Sequence, residues 1–533
     1  MKRWIVLLLL YFPFLICCGT ATPPDPANTS LLHGTVTTKD GKPQPGSMVR
    51  VRKVGSSIAE VIFTNAQGQY HFDDLMPGAY SVKAWTSRWQ ANETETELKE
   101  FSPRKFDLSL QTESQPSESA AENLASMPDN LEKRRLVQNC EMCHAIGASS
   151  TTFAGQSNAN YQYWLSIMHS MVNDRGAFLT PDFDRNQEAI LLSKYLLPTS
   201  SAPDLPERAL IPNVAIYEYA SPRSNFAPHD LCVDHTGRIW VADGANDSLE
   251  EMDAATGEWQ FYDYGVKHAG AHSIIEGPDQ KIWIVLQTAN EIASFDPKTR
   301  EFKHYPDTHP GLFGKIGPRP HTHQFDSKGK LWFTEIAADS VSMLDPDTGK
   351  MTAYKLPDQP KVYRNSFFLW PYGLTIGPGD NVFYAKLGGN RIGEIEGATR
   401  KIQEFELPVP YSGPRRMDTD AKGNLWLTAF TTGMIYRFNP ETKEFKGYAI
   451  PTPNSAPYAL AVDKARNKIY ICEAAANKVG VFDIISDTFS EIPLPTLFGY
   501  TRKIDVDARS GMIWTVYSQP IPEENKVVGI RYR

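Results

Sequence analysis

The chain has 533 residues, 41% of them hydrophobic and 22% charged, with 54 basic against 62 acidic side chains and a net charge of −8. That length exceeds what one hydrophobic core supports, so two to four domains are expected. The mild acidity excludes a nucleic-acid binder, which needs a basic face.

Met1-Lys2-Arg3 and the apolar run WIVLLLLYFPFLICC read as an export signal, too short and too abruptly ended for a membrane span. Residues 1–21 are therefore expected to direct the chain to the periplasm or another extracytoplasmic space. Two processing routes fit. One is cleavage after Ala21, beside the small Gly19 and Thr20. The other is lipidation of Cys18 in LICC, where Cys17 stands in a position usually held by Gly, Ala or Ser. The polar GTATPPDPANTS would then be a tether, and any membrane contact would come only through that lipid. Of six cysteines, two lie in the signal, two in the motif below, and Cys232 and Cys472 in apolar strand patterns. The last two are expected to be small buried hydrophobes.

Residues 31–112 alternate polar and apolar side chains between Asp-Gly, Gln-Gly and Pro-Gly turns, the pattern of a small antiparallel sandwich. The run G-x-V…D-G-x-P…V-x-V…T-x-x-x-G-x-Y-x-F-x-x-L-x-P-G-x-Y resembles the carboxypeptidase regulatory-like domain. That likeness implies a prealbumin-like β-sandwich serving as spacer or adhesion module. Tyr70, Phe72 and Tyr80 are expected in its core rather than on a sugar platform. Residues 113–123, the body of the Ser/Glu/Gln/Pro-rich stretch from Gln111 to Asn123, are expected to be a linker.

Over 124–200 the periodicity becomes helical. A helix is expected in DNLEKRRLVQNCEMCHAIG, a second in NANYQYWLSIMHSMVND with Tyr163, Ile167 and Met171 at i, i+4, i+8, and a third in NQEAILLSKYLLP, closed by Pro198. The first carries C-x-x-C-H: Cys140, Cys143 and His144. In an exported chain these are covalent haem-attachment residues, the thiols adding to the haem vinyls and His144 becoming the proximal ligand. A zinc site would need two more ligands at matching spacing. The size and helix order resemble a minimal class I cytochrome c. Met171 is the expected sixth ligand, in a segment similar to the W-x-x-I-x-x-x-M of cytochromes associated with quinohaemoproteins; a thioether raises the potential, and His169 in its place would lower it. Electron transfer to a redox partner protein follows as the expected role.

From residue 213 to 533 the chain repeats. Large apolar anchors recur at Trp240, Trp283, Trp332, Phe383, Trp426, Tyr470 and Trp514, at spacings of 43, 49, 51, 43, 44 and 44. Periods of this length with four short strands each mean propeller blades, here seven. AIYEY, from Ala215 to Tyr219, precedes the first blade and can complete the last, closing the ring and removing free edges. The expected fold is thus multidomain and mainly β: a prealbumin-like sandwich, a small all-α cytochrome c, and a seven-bladed propeller.

Superposing the repeats singles out two sets of positions. The first residues of the inner strands are His229, His272, His321, Tyr372, Arg415, Tyr458 and Arg502. The last residues of the second strands are Asp243, Leu286, Glu335, Lys386, Ala429, Glu473 and Tyr517. All fourteen are expected at one channel mouth. Their asymmetry, with His on the first three blades and Arg on the fifth and seventh, is that of a site rather than a structural repeat. His229, His272 and His321 would converge on a divalent metal or act as bases, with Asp243 and Glu335 as further ligands or orienting groups. His323 is expected to point the same way and join them. Arg415, Arg502 and Lys386, with Tyr372, Tyr458 and Glu473, would hold a small anionic or carbonyl-bearing substrate. The insertions THPGLFGKIGPR and PKVYRNSFFLW would wall it.

RPHTHQFDSKGKLWFTEIAADSV and PYGLTIGPGD resemble the virginiamycin B lyase family. The likeness implies a lyase propeller with magnesium, a general-base His and Glu residues at the channel mouth, onto which the Pro-His pairs of His229 and His321 and the Glu335 of WFTE map. The family's catalytic His lies in Glu-Pro-His, whereas Ala227 and Arg319 precede the two Pro-His pairs here. Elimination also requires no electrons. The reading therefore favours a haem-linked oxidoreductase acting on a small molecule at the channel, with a lyase carrying an accessory haem, or a non-catalytic binding protein, as alternatives.

Overall fold

The computed structural model describes residues 30–100, 102–113, 119–125, 127–140, 161–173, 185–195, 213–311, 317–358, 370–519 and 525–533. The molecule is mainly β, and the four α-helices among the described residues all fall between residues 120 and 195. Among the described residues no helix is long and apolar enough to cross a membrane.

In the N-terminal region, Ser30–Thr37 alternates buried and part-exposed residues and pairs with Gln69–Leu75. Met48–Lys53 pairs with Ile58–Phe63 on one side and Gly78–Trp85 on the other. Leu32, Val36, Val49, Val51, Phe72, Val82 and Leu98 fill the space between the sheets. Tyr70, Phe72 and Tyr80 are 3%, 0% and 5% exposed, core side chains as expected. Gly68 at the Gln-Gly turn has φ 71°, and a Cβ there would lie 2.8 Å from Val36 O and Gln44 N. Only glycine tolerates both conditions.

Six four-stranded antiparallel sheets follow, then a seventh assembled from both ends of the repeat. Their innermost strands are Pro228–Val233, Ala271–Glu276, Pro320–Phe325, Pro371–Ile376, Pro414–Thr419, Pro457–Asp463 and Ile504–Val506, here blades 1 to 7. These touch one another in a closed cycle around the axis. The D-x-x-G-x-I-W repeat has a local cause. In blade 1 Asp234 Oδ1 accepts from Thr236 N and Arg238 N, closing the turn, while Oδ2 accepts from Trp240 Nε1 at 2.9 Å. Asp326 and Asp420 hold Trp332 and Trp426 in the same way, and Asp279 holds Trp283. Blades 1, 2, 3 and 5 thereby fix their tryptophan to their own turn.

Val214–Ala220 pairs with the C-terminal Lys526–Tyr532, which pairs with Ile513–Val516. The ring so closed was expected to have no free edge. The outer edge of Val214–Ala220 is in fact covered by sandwich strand Ile58–Phe63. One twisted sheet therefore runs from the sandwich into blade 7, and a strand that would have exposed unpaired N–H and C=O groups is satisfied by a neighbour. Glu60 adds an ion pair to Arg533, and Tyr217 accepts from Arg531.

The helices are α1 (Ala120–Asn123), α2 (Leu131–Cys140), α3 (Tyr161–Asn173) and α4 (Arg185–Tyr195). Ser119 and Glu122 form a reciprocal capping box on α1, and Asn130 accepts from Lys133 N to start α2. Arg135 reaches the buried Glu188, tying α2 to α4. The stretch expected to be a linker is held at both ends. Thr112–Glu113 pairs with Trp89–Gln90, and α1 docks on the propeller, Ala121 N donating to Ala475 O at 3.0 Å. Its Ser and Glu are capping groups as well as solvent-seeking ones.

Candidate functional site

A β-bulge interrupts the pairing at the entrance of the inner strand in each of blades 1 to 6, as between Pro228 and Asp230 or Pro414 and Met417. A bulge sets two successive residues against one partner residue and re-aims their side chains. His229 with Asp230, and Arg415 with Arg416, are such successive pairs, and both members act at the axis.

Three imidazoles form a stack across adjacent blades. The rings of His229 and His272 have centroids 3.6 Å apart, those of His272 and His321 3.9 Å, and Tyr372 continues the series 3.9 Å from His321. Burial pushes His229 down to about 4, against the pull of Asp230. Burial and then the neighbouring imidazoles hold His272 well below the usual range, and burial and Arg416 do so for His321. The rings are thus neutral at pH 7, the form that ligates metals or takes up a proton. His229 Nδ1 lies 2.9 Å from Asp230 Oδ1. An ionised carboxylate only accepts, so Nδ1 carries the proton and Nε2 keeps its lone pair. His272 Nδ1 is buried with no partner among the described residues.

Asp230 also crosses the channel. Arg416 of blade 5 grips it at 3.0 and 3.2 Å. Burial opposes its ionisation, but Arg416 and the His229 N–H together hold it below the usual carboxylate range. Beside this pair, Arg415 lies 3.9 Å from the ring centre of Phe430, 4.0 Å from Tyr458 and 5.2 Å from Tyr372. The Tyr372 and Tyr458 hydroxyls share a short hydrogen bond, and burial, then Tyr458, raises Tyr372 far above an ordinary phenol. Arg502 is half-buried on blade 7.

The ends of the second strands do not join this set, and the expectation of one fourteen-residue mouth is corrected. Blades are radial sheets and strand side chains stand perpendicular to them, so those positions point between blades, one strand outside the axis. Asp243 accepts from Ala245 N at 2.8 Å and from Asn246. It stands beside Glu250, which burial and then Asp243 push up to about 9. Glu335 accepts from Ser340 and Ser342. Lys386 pairs with Glu404 at 2.5 Å and donates to Pro357 O. Glu473 is fully buried, held well above its usual range by burial and then Glu491. Leu286, Ala429 and Tyr517 are buried as well. His323 is also corrected: its two ring nitrogens lie 3.1 Å from Ser273 Oγ and 3.1 Å from Trp283 O. It lines a cavity of about 460 Å³ with Cys232, Arg416, Asp418 and Lys503.

Among the described residues, two groups can hold a cation. His229, Asp230 and His272 present ligand atoms within 4.8 Å of one another, and so do Asp307, His309 and Glu335. The first is nitrogen-rich and suits a borderline metal such as copper, iron or zinc; the second is oxygen-rich and suits a hard one. The magnesium that the family resemblance implies does not fit the imidazole stack and does fit the second group. Glu335 thus belongs with Asp307, which burial and then Glu335 push up to about 8, and not with the histidines. Asp230, Arg416, Phe430, Asp307 and His309 were missed in the sequence. The doublets His229-Asp230 and Arg415-Arg416 at equivalent strand starts, and Asp307-Thr308-His309 beside the insertion, were the available signals.

Of the haem residues, Cys143 and His144 lie outside the described residues, and the side chain of Met171 on α3 does too. Cys140 is half-buried at the end of α2 against a cluster containing Leu136, Val137, Trp164, Met168 and Leu192. His169 is exposed and 3.1 Å from Arg185, turned away from that interior. The same cluster contains Tyr372, Phe430 and Tyr458.

Residues 267–521 match the virginiamycin B lyase family, and residues 32–111 the carboxypeptidase regulatory-like domain. A streptogramin B lyase structure is similar over 60% of this chain and 98% of its own, with 23% identity and a TM-score of 0.53. Virginiamycin B lyase from Staphylococcus aureus, in a selenomethionine form, covers 60% and 99% at 22% identity and a TM-score of 0.52. Among curated proteins, NHL repeat-containing protein 3 of Mus musculus is 39% identical over 61 residues, which span 11% of this chain and 18% of that protein. The propeller is therefore virginiamycin B lyase-like in fold, and the N-terminal sandwich carboxypeptidase regulatory-like.

Proposed function

We propose that the chain is an exported, haem-linked oxidoreductase whose propeller channel binds and transforms a small molecule. The observation that carries this reading is the single apolar cluster joining the helix of Cys140 to Tyr372, Phe430 and Tyr458 at the channel. Cys140, Cys143 and His144 would hold a covalent haem, with Met171 as sixth ligand; the apolar surroundings of Cys140 fit a porphyrin. Such a group supplies one-electron transfer to a partner protein. The chain's own residues do the rest. His229, kept in one tautomer by Asp230, and His272 would ligate a borderline divalent metal, with His321 as third ligand or base. The neutral imidazoles can accept a substrate proton, and the arginines orient the substrate. The export signal, with or without lipidation at Cys18, would put the site in the periplasm.

The test is elemental analysis and a haemochrome spectrum of the protein exported with haem maturation, beside a His229→Ala/His272→Ala/His321→Ala variant. The expected result is one haem iron in both and a second metal lost from the variant. Haem iron alone in both would remove the metal chemistry, and absence of haem would remove the electron outlet.

One observation favours a second reading, a lyase with an accessory haem: Asp307, His309 and Glu335 can hold a hard cation at the position of the WFTE motif. Against it, Arg319 stands in place of the Glu of Glu-Pro-His. Magnesium or calcium in place of a borderline metal would favour it.

A further inference from the structure

Arg415 and Arg416 are neighbours in sequence and are buried to a similar degree, 0% and 6% exposed. Their electrostatic situations differ completely. Arg416 has the Asp230 carboxylate at 3.0 and 3.2 Å. Arg415 has no carboxylate among the described residues. Its Nε, Nη1 and Nη2 are all buried without a hydrogen bond of good geometry. Its charge is supported instead by Tyr372, Tyr458 and Tyr500, with the Tyr500 hydroxyl the one acceptor near its N–H groups, and by the rings of Phe430 and Tyr458 at 3.9 and 4.0 Å. Aromatic faces stabilise a cation but accept none of the guanidinium's five in-plane N–H groups. A buried charge left in that state is unfavourable unless something completes it.

We propose that Arg415, with Tyr372 and Tyr458, is a carboxylate receptor. The rings occupy the guanidinium's faces, so its in-plane fork is what remains, and the fork matches the two oxygens of a carboxylate. The phenols add hydroxyl donors once their mutual hydrogen bond opens. The charge count favours a monoanion. Arg416 is neutralised by Asp230, so a phosphate dianion here would leave negative charge buried. The walls are aromatic, which favours an unsaturated or aromatic acid. Two sources carry this chemistry: a free carboxylate substrate, or a propionate of the haem, because the helix of Cys140 shares this cluster. The inference rests on the channel being the functional site, and it names the class of molecule that site takes.

The experiment uses the exported holoprotein and its Arg415→Met, Arg415→Lys and Arg502→Met variants. Calorimetric titration with sodium benzoate is combined with a redox titration of the haem. For a substrate carboxylate, wild type binds benzoate, Arg415→Met weakens binding at least tenfold, and Arg415→Lys weakens it less. For a propionate, wild type does not bind benzoate, and Arg415→Met lowers the haem potential while Arg502→Met does not. Benzoate binding equal in wild type and Arg415→Met, or no binding together with an unchanged potential, overturns the receptor. Tyr458→Phe retains the ring and the cation, so a several-fold loss in that variant supports the receptor even if Arg415→Met fails to fold. Benzoate binding by a protein without haem or channel metal would uphold the receptor while removing the oxidoreductase reading.

Discussion

The two sides of the propeller ring are built from the same repeat and do opposite things with it. On blades 1 to 3 the inner strands begin with His229, His272 and His321, kept neutral by burial, with Nδ1 of His272 unpartnered among the described residues. On blades 4 to 6 they begin with Tyr372, Arg415 and Tyr458, packed into a cluster shared with α1 to α4. One side is equipped to ligate a metal or accept a proton. The other is equipped to hold a charge under an apolar roof. Among the described residues the helices share their apolar cluster with blades 4 to 7, and covering changes which side chains can be buried at acceptable cost.

The Asp230–Arg416 pair is the bridge between the sides, and breaking it should have the largest effect. Arg416→Met leaves a buried carboxylate uncompensated, a loss of about 3–5 kcal/mol in urea unfolding. Asp230→Leu with Arg416→Met should recover most of it. A double variant as unstable as the single one would show that the pair is not what couples the sides.

Acid should discriminate the sides next. A buried imidazole with a lowered pKa binds its proton in the unfolded state first, so its contribution is complete above about pH 6.5 and is lost as pH falls toward 4. For His323, pushed down to about 4 by burial, that loss is about 3 kcal/mol. Melting temperatures of wild type and His323→Gln between pH 7 and 4 should converge as pH falls. Parallel curves would remove His323 from the acid response.

Alkali should act on the carboxyl pairs. Glu250, raised to about 9, holds its proton more tightly folded than unfolded, so its contribution is complete below about pH 4.5 and is lost as pH rises toward 9. Glu250→Gln should flatten the decline between pH 7 and 9, by about 1–2 kcal/mol once relaxation of the site is allowed for. The smallest effect is expected on the covered side. Tyr372→Phe removes one hydroxyl of the phenol pair and should lower stability by about 1 kcal/mol, with no change in metal content. Loss of metal in that variant would mean that the two sides are not chemically separate.

Much of the architecture was readable because it is periodic. The D-x-x-G-x-I-W unit encodes its own turn and anchors its own tryptophan, as Asp234 and Trp240 show, so seven blades could be counted without coordinates. His229, His272 and His321 were legible for the same reason, standing at one repeat position. Asp243, Lys386 and Glu473 were assigned to the mouth by that logic and do not belong there. Repeat alignment gives position along a strand but not distance from the axis. The pairing of Asp230 with Arg416 could not be read because the two meet across 186 residues of sequence.

The sequence alone determined the C-x-x-C-H motif, the sandwich turns and the blade repeat, since each is written in residues close together in the chain. Tertiary structure decided which side chains share the axis, that Glu335 belongs with Asp307 and His309, that the sandwich extends blade 7, and that Arg415 is buried without a carboxylate. These are consequences of ring closure and of the helices sharing their cluster with blades 4 to 7. Both bring together residues far apart in sequence, and electrostatics depends on that spatial proximity rather than on order along the chain.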